Sequence, residues 1–257
     1  FMQYNISPET LLDLNMDDFY QALEDGFTVD YLLSGKKIPF DLKERNITLT
    51  PNCAIFSKDK QGFLPEMMQS MYDDRTIYKR KMLQAKQEYE KTPTKALEKE
   101  IARCNNIQMA RKIQLNSAYG AIGNQYFRYY KLANAEAITL SGQVSIRWIE
   151  NRMNKYLNKV LKTEDEDYVI ASDTDSIYLN MGPLVESVYK GREKTTEGVV
   201  TFLNKVCEME LEKYIDRCYE ELATYVNAYD QKMFMKRENI AERGIWTAKK
   251  RYILNVW

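Results

Sequence analysis

Two aspartates, Asp173 and Asp175, are the residues of this sequence best suited to binding a metal ion. They lie between two short apolar runs, 168–171 and 177–179, whose β-branched and aromatic side chains predict two strands joined by a tight turn. Because side chains alternate along a strand, carboxylates two positions apart can emerge on the same side. Two like charges so placed favour a bound cation, and hard divalent ions such as magnesium prefer oxygen ligands. The alternative is an exposed turn whose Asp and Thr side chains bond only their own backbone.

The middle of the sequence predicts two long helices. Residues 65–91 contain no glycine, are rich in helix-forming residues and have a proline at the front. Thr92-Pro93-Thr94 ends this run, and a second helical run follows over 95–118. Because the break is so short, we expect the two helices to pack antiparallel as a helical hairpin.

Four polar side chains of this hairpin could form a phosphate site. Arg75 and Lys79 are one turn apart on the first helix, and Lys112 and Asn116 are one turn apart on the second. Antiparallel packing would bring the two pairs together into a cationic pocket suited to a triphosphate. Solvated helix faces are the alternative explanation for the same spacing.

The end of the second helix leads into a segment of glycines, aromatic residues and basic residues. Gly120 and Gly123 could let the backbone approach a partner closely or adopt a positive φ. Tyr119 and the aromatic residues of 126–130 lie beside Arg128 and Lys131. Such a mixture can stack on nucleic acid, or it can pack in a core with a polar rim.

A second basic cluster lies near the end of the sequence. Lys249, Lys250 and Arg251 precede Tyr252 and an apolar strand. Three cations held on a strand suit a phosphate backbone, although a solvated strand end has the same appearance. Upstream of them, Glu238 is a candidate third carboxylate for the aspartate pair, with an ordinary ion pair as the simpler interpretation.

Composition excludes several kinds of site. The 257 residues include 37 Lys plus Arg and 37 Asp plus Glu, so the net charge is zero and any nucleic-acid binding must come from local patches. The sequence has no histidine, which rules out a His-based triad or a His-metal site within it. Its four cysteines form no C-x-x-C pair, and we expect them to be reduced thiols. No apolar run approaches membrane-spanning length.

The remaining elements can be read from periodicity and turn signals. The predictions are a helix over 16–25 that begins at the cap Asn15 and ends near Gly26, two strands within 46–57, a helix over 132–160, a loop over 183–195, largely helical chain over 196–229, and short strands at 233–237 and 245–246.

Three stretches, in this order, resemble the motifs of family B DNA polymerases. Lys112 to Gly120 matches Lys-x-x-x-Asn-Ser-x-Tyr-Gly, Asp173 to Ser176 matches Asp-Thr-Asp-Ser, and Lys249 to Tyr252 matches Lys-Lys-Arg-Tyr. The flanks 5–10 and 252–257 are most similar to the replicative polymerases of T-even-like bacteriophages. The resemblance covers the sequence almost end to end.

The resemblance implies an α+β fold, in which a palm of antiparallel sheet and helices carries a two-helix antiparallel fingers subdomain. We expect residues 1–63 to form the N-terminal part of the palm and 64–118 to form the fingers. Residues 119–257 would complete the palm, with the metal motif and the DNA-contact motif.

The same resemblance implies roles for the candidate residues. Asp175 would be the stronger metal ligand and Asp173 its support, for two Mg²⁺ ions that Mn²⁺ could replace. Arg75 and Lys79 would grip the triphosphate, beside Asn116, and Lys112 would contact phosphate and protonate the departing pyrophosphate. The residues expected to contact primer–template DNA are Tyr119, Gly120, Lys249, Lys250, Arg251 and Tyr252.

The implied activity is template-directed DNA synthesis in viral replication. Deoxynucleotides would be added to a primer 3′-hydroxyl by two-metal phosphoryl transfer, with release of pyrophosphate, in the cytoplasm of an infected bacterium. The implied partners are primer–template DNA and deoxynucleoside triphosphates, with no membrane. A sliding clamp and other replisome proteins would bind through other parts of a full-length enzyme.

Departures from the family pattern suggest a central fragment. The family's other essential aspartate belongs to an Asp-x-x-Ser-Leu-Tyr-Pro-Ser motif, which is absent, and Ser172 replaces a common glycine. The sequence also begins at Phe1 and shows neither an exonuclease nor a thumb. Because Asp173 and Asp175 lack the opposing carboxylate of that missing motif, we expect the sequence to be inactive in isolation. Two alternatives are a metal-dependent glycosyltransferase, which would need βαβ units before its Asp-x-Asp, and a non-catalytic nucleic-acid-binding module.

Overall fold

The computed structural model describes residues 1–191, 194–248 and 250–257, and describes Phe19 and Leu23 by their backbone alone. In chain order the elements are β1 (Leu11–Leu12), α1 (Met16–Glu24), α2 (Val29–Leu33), β2 (Ile47–Leu49), β3 (Ile55–Ser57), α3 (Phe63–Lys91), α4 (Lys95–Ile122), α5 (Leu132–Leu161), β4 (Val169–Asp173), β5 (Ser176–Leu179), α6 (Gly182–Val188), α7 (Thr196–Val206), a π-helical turn (Cys207–Leu211), α8 (Glu212–Tyr225), β6 (Ala241–Ala248) and β7 (Arg251–Val256). Every strand pair among them is antiparallel, so the mixed α+β class is confirmed.

The first of two compact units contains residues 1–28, 37–140 and 227–230. Its small sheet has the strand order β1-β3-β2. The sheet core is apolar and includes Ile47, Leu49, Ile55 and Phe56, each at most 3% exposed. The two strands predicted within 46–57 are therefore confirmed.

The predicted helical hairpin lies in this first unit. Leu64 on α3 packs with Ile122 on α4, and an ion pair of 2.8 Å joins Asp74 to Arg111 farther along both helices. From the first contact to the second, residue numbers increase on α3 from 64 to 74 and decrease on α4 from 122 to 111. The two helices are therefore antiparallel, as predicted. The second helix continues to Ile122, beyond the predicted residue 118, because it contains no proline and a single glycine, Gly120, weakens a helix without ending it.

Helix α3 begins without a cap of its own. Gly62 occupies the cap position, and the first three N–H groups donate to a distant segment. Gly62 N–H bonds Asn5 Oδ1 (2.8 Å), Phe63 N–H bonds Glu9 Oε1 (2.6 Å) and Leu64 N–H bonds Ser7 Oγ (3.4 Å). We call Asn5, Ser7 and Glu9 the α3 cap.

The α3 cap also explains why residue 62 is glycine. A Cβ atom at Gly62 would lie 2.5 Å from the Cβ of Ser7, so only glycine lets the two segments approach this closely. Helix α1 is capped locally, as predicted: Asp18 N–H bonds Asn15 Oδ1 at 2.8 Å, and Gly26 follows the helix with a φ of +61°.

The second compact unit contains residues 29–36, 141–226 and 231–257. The part of α5 in this unit packs on α8, where Trp148 Nε1 donates to the carbonyl of Cys218 at 3.0 Å. The buried apolar residues of the two helices include Ile149, Met153, Leu157, Ile215 and Leu222. This packing confirms the predicted helix over 132–160 and the largely helical chain over 196–229.

Two local predictions were wrong. Residues 183–188 of the predicted loop belong to α6 (Gly182–Val188), because Pro183 lies in the first turn, where proline favours a helix start. Residues 233–237 form no strand, since their backbone donors find other partners. Met233 N–H bonds the side chain of Gln231, and Arg237 N–H bonds Glu212 Oε1.

All four cysteines are free thiols, as predicted. Over the described ranges of the chain, no helix combines the length and apolar character that a bilayer crossing requires.

Candidate functional site

Asp173 and Asp175 lie at the tip of the β4–β5 hairpin. Asp173 pairs with Ser176, which leaves Thr174 and Asp175 as the turn. Thr174 has a φ of +56°, and Asp175 N–H donates to the carbonyl of Asp173 at 2.6 Å. A residue-i to i+2 bond around a positive φ is typical of a rare, strained γ-turn. Because Asp175 lies outside both strands, strand alternation does not decide where the two carboxylates point.

The surroundings of the two carboxylates differ. Asp173 is half-buried, and its Oδ1 accepts a hydrogen bond of 2.9 Å from Thr174 Oγ1. Asp175 is exposed, and its charge acts on the buried phenol of Tyr219. Burial raises the pKa of Tyr219 and the charge of Asp175 raises it further, so this phenol stays protonated at neutral pH.

The donor chemistry of the pair fits a hard divalent ion. Carboxylate oxygens are the ligands that Mg²⁺ prefers. In the described part of the chain, no three or more His, Cys, Asp or Glu side chains group around a possible metal position. Glu238 therefore does not join Asp173 and Asp175 in a group of three candidate ligands. Glu238 is exposed, and its backbone carbonyl accepts from Arg237 Nη1 at 3.2 Å.

The basic cluster lies on a second hairpin, formed by β6 and β7. Lys250, with a φ of +62°, lies at the turn, and Arg251 begins β7. Both are exposed, and Tyr252 is 43% exposed. Lys249 lies outside the described residues, so its predicted DNA contact has no structural account. We call the β6–β7 hairpin the basic ribbon.

Three aromatic rings connect the aspartate hairpin to the basic ribbon. The Tyr178 ring lies 5.4 Å from that of Trp246 and 5.4 Å from that of Tyr252, and the last two stack at 6.3 Å. A hydrogen bond with Tyr252 is the largest cause that raises the pKa of Tyr178, followed by burial. Sequence reasoning missed this cluster, because no local signal reveals which strands of two hairpins face each other.

The four polar residues predicted on the helical hairpin flank the cross-helix ion pair. Arg75 follows Asp74 on α3, and Lys112 follows Arg111 on α4. The buried Nε of Arg75 has no hydrogen-bond partner, which is unusual for a buried polar atom. Lys79, Lys112 and Asn116 are exposed. The structure thus brings Arg75 and Lys112 to the same level of the two helices.

Residues of the same two helices line an apolar pocket of about 290 Å³ that is open to solvent. Three methionines of α3 line it, and Ser117 and Gln114 of α4 contribute polar atoms. Met side chains are flexible, so this wall can adapt its shape.

The Tyr119–Gly120 pair lies in the last turn of α4. Tyr119 is 45% exposed, and its phenol oxygen lies 2.8 Å from Thr139 Oγ1. A Cβ atom at Gly120 would meet nothing within 4 Å. Neither Gly120 nor Gly123 has a positive φ, which leaves close approach of the backbone as the remaining alternative of the two. Open space beside Gly120 remains consistent with a partner that approaches the backbone.

The aromatic and basic segment after α4 is divided between core packing and an exposed surface. Phe127 packs against the buried cluster of Leu64 and Ile122. Tyr126 is 88% exposed, and the guanidinium of Arg128 lies 5.8 Å from the ring of Tyr129. Exposed rings beside cations are suited to stacking on bases.

Comparison with known proteins identifies the family of this chain. The family model described as DNA polymerase family B matches residues 1–257. The chain belongs to DNA polymerase family B. Within this family it is similar to the DNA-directed DNA polymerase of Escherichia phage RB69, with 32% identity over 99% of this chain and 32% of that protein. It is also 45% identical to the DNA-directed DNA polymerase of Enterobacteria phage T4, over 62% of this chain and 19% of that protein.

A more distant family B relative is the DNA polymerase of Orf virus (strain NZ2), 28% identical over 58% of this chain and 14% of that protein. The chain thus spans about a third or less of the length of these relatives. The glycosyltransferase alternative required parallel βαβ units, and the described strands form only antiparallel pairs.

Proposed function

We propose that this chain is the part of a DNA-directed DNA polymerase that binds the metal ions, the incoming nucleotide and the primer–template. The match of the whole chain to DNA polymerase family B carries this proposal. The two aspartates at a strained hairpin tip support it, because strained backbone clusters at functional sites. Residues 1–63 and 119–257 would belong to the palm, and 64–118 would form the fingers.

Asp175, supported by Asp173, would hold two Mg²⁺ ions, with Mn²⁺ as a possible substitute and Glu238 as a weaker candidate ligand. When bound, such ions activate the primer 3′-hydroxyl and neutralise charge on the triphosphate. The bond between Thr174 Oγ1 and Asp173 Oδ1 would orient that carboxylate. The exposure of Asp175 leaves its oxygens free to face an ion.

The helical hairpin would bind the triphosphate of the deoxynucleotide. Arg75, Lys79 and Lys112 would neutralise the charge that develops on the leaving pyrophosphate, and Asn116 would donate a hydrogen bond. The ammonium of Lys112, which matches the lysine of the family motif, would give its proton to the leaving oxygen, a role that suits a sequence without histidine.

Primer–template DNA would contact two surfaces. Lys249, Lys250, Arg251 and Tyr252 on the basic ribbon would hold its phosphates. Tyr119 and Gly120 would lie along the newly formed base pair, and the open space beside Gly120 supports such an approach. The setting would be viral DNA replication in the cytoplasm of an infected bacterium, with a sliding clamp bound elsewhere on a full-length enzyme.

The proposal is tested by Asp175→Asn in a full-length polymerase that carries this chain. We expect primer extension to fall by about a thousandfold or more, because an amide is a poor ligand for Mg²⁺ and the metal clamp supplies much of the catalysis. Primer–template binding, measured by fluorescence anisotropy, should stay within about threefold, because phosphate contacts dominate affinity.

Asp165→Asn is the matched control, since Asp165 is an exposed aspartate of the loop before β4 with a φ of +54° that Asn tolerates. It should extend primers like the parent enzyme. Near-normal extension by Asp175→Asn would overturn the metal-site assignment. DNA binding with no metal-dependent extension by the full-length parent enzyme would favour a non-catalytic binding module.

A further inference from the structure

Tyr178 lies three residues after Asp175 and occupies the centre of the three-ring cluster. Its ring makes T-shaped or tilted contacts with Trp246 at 75° and with Tyr252 at 64°, whereas Trp246 and Tyr252 are nearly parallel at 28°. Perpendicular and offset ring pairs are the favoured geometries for aromatic contacts. Tyr178 therefore contacts the basic ribbon through two rings at once, both in the same compact unit.

The strand pairing of the ribbon places Trp246 and Tyr252 side by side. Trp246 pairs with Tyr252 across the ribbon, and Gly244 pairs with Leu254 on the same face. A Cβ atom at Gly244 would lie 2.6 Å from the indole of Trp246 and 2.8 Å from Leu254. The indole therefore lies directly against the backbone at Gly244, where only glycine leaves room.

The cluster is too exposed to be an ordinary core. Trp246 is 36% exposed, Tyr252 is 43% exposed and Tyr178 is half-buried. Among the described strands, the hairpin that carries Asp173 and Asp175 does not pair with the ribbon. The described contacts between the two hairpins include the contacts of these rings.

We propose that Tyr178 is a positioning residue that holds the basic ribbon, and the DNA bound to it, at a set distance from Asp173 and Asp175. This inference rests on the proposed function, because it assigns DNA to the ribbon and metal ions to the aspartates. In this role Tyr178 would act through the ribbon and not by contact with the reacting atoms or the DNA. Its ring contacts with Trp246 and Tyr252 set the position of the ribbon.

The test maps the distance from the aspartates to bound DNA by affinity cleavage. The 257-residue chain is bound to an end-labelled primer–template, and Fe²⁺ is added with ascorbate and hydrogen peroxide. Fe²⁺ takes oxygen ligands, and the hydroxyl radicals formed there cleave the nearest sugars. Partial occupancy of two carboxylates is enough for a signal, because each ion produces many radicals.

We expect cleavage by the unaltered chain at one or two adjacent nucleotides, and its loss in Asp175→Asn. In Tyr178→Ala, cleavage should spread over about five or more nucleotides, while affinity for the primer–template stays within about threefold because the phosphate contacts remain. Tyr178→Phe keeps the ring and should keep the narrow pattern. Gly244→Ala changes no ring and no cation, yet it displaces Trp246 and should broaden the pattern like Tyr178→Ala.

Tyr189→Ala is the matched control, because Tyr189 also forms a T-shaped pair, with Phe202 at 5.9 Å, in the same unit. It should leave the cleavage pattern narrow. Thermal melting identifies any variant that fails to fold, and Tyr178→Leu then replaces Tyr178→Ala. A narrow, unshifted pattern in folded Tyr178→Ala and Gly244→Ala would overturn the inference. No cleavage dependent on Asp175 in the unaltered chain would instead overturn the proposed function.

Discussion

At the scale of single residues, Thr174 determines the form of the aspartate hairpin. A β-branched residue with a φ of +56° is uncommon, and such strain costs on the order of 1–3 kcal/mol. The paired strands on both sides hold the turn in place. The direction of Asp175 is therefore set by the backbone of the turn.

Glu9 allows a pH-dependent prediction at the same scale. Burial acts to raise the pKa of Glu9, but hydrogen bonds from Ser7 and from the N–H of Phe63 outweigh it and lower the pKa below its usual value of 4.5. A lowered pKa stabilises the folded state above about pH 4.5, and this stability is lost as pH falls through the folded-state pKa. We expect Glu9→Gln to lower the free energy of unfolding at pH 7 by about 1 kcal/mol, as for other helix caps.

The measurement is urea unfolding of both proteins between pH 3 and pH 7. The difference in the free energy of unfolding between the two proteins should disappear as the pH falls below 4.5, because Glu9 then becomes protonated and resembles Gln. Glu44→Gln provides the control, since Glu44 is an exposed carboxylate on a turn of the same unit. A difference in the free energy of unfolding that stays constant across this pH range would contradict the role of the ionised Glu9 in the α3 cap.

At the scale of elements, Gly120 is a costly residue for its helix. It lies inside α4, where glycine destabilises a helix by roughly 0.5–1 kcal/mol relative to alanine, and its surroundings leave a Cβ atom free of contact. We expect Gly120→Ala to raise the melting temperature by a few degrees. If the open space receives the primer–template, the same change should weaken DNA binding about tenfold, because backbone approach to a ligand often requires glycine.

Gly142→Ala is the matched control for this prediction. Gly142 also lies inside a long helix, α5, and a Cβ atom there would likewise meet nothing within 4 Å. It should raise the melting temperature by a similar amount and leave DNA affinity unchanged. Equal DNA affinity of both variants and the unaltered chain would exclude the primer–template from the surface at Gly120.

At the scale of the whole molecule, the chain should bind DNA without extending it. Mg²⁺ favours six ligands in a regular octahedron, and under the proposed function Asp173 and Asp175 would provide only part of such a set. We expect the 257-residue chain alone to show no Mg²⁺-dependent primer extension, while it still shifts primer–template DNA in a gel. The phage T4 polymerase serves as the positive control for extension. Robust synthesis by the chain that disappears in Asp175→Asn would contradict this prediction.

Local sequence signals were sufficient for the regular elements and for the family. Helices α3, α4 and α5 could be predicted from signals that lie within a few residues of one another. These signals are the helix propensity of the residues, the helix break at Thr92-Pro93-Thr94 and the period of the apolar residues. The aspartate turn and the cap at Asn15 follow from equally local chemistry. Three ordered motifs then indicated the polymerase family, and the match over residues 1–257 confirms it.

Contacts between distant residues were decided by tertiary packing alone. The α3 cap joins Asn5, Ser7 and Glu9 to N–H groups more than 50 positions away, and Tyr178 meets Trp246 and Tyr252 from a separate hairpin. Such pairs depend on how strands and helices dock, and that docking minimises the free energy of the whole chain. A polar cap or an exposed ring has no periodic signature in sequence, so its partner becomes evident only when the elements have packed.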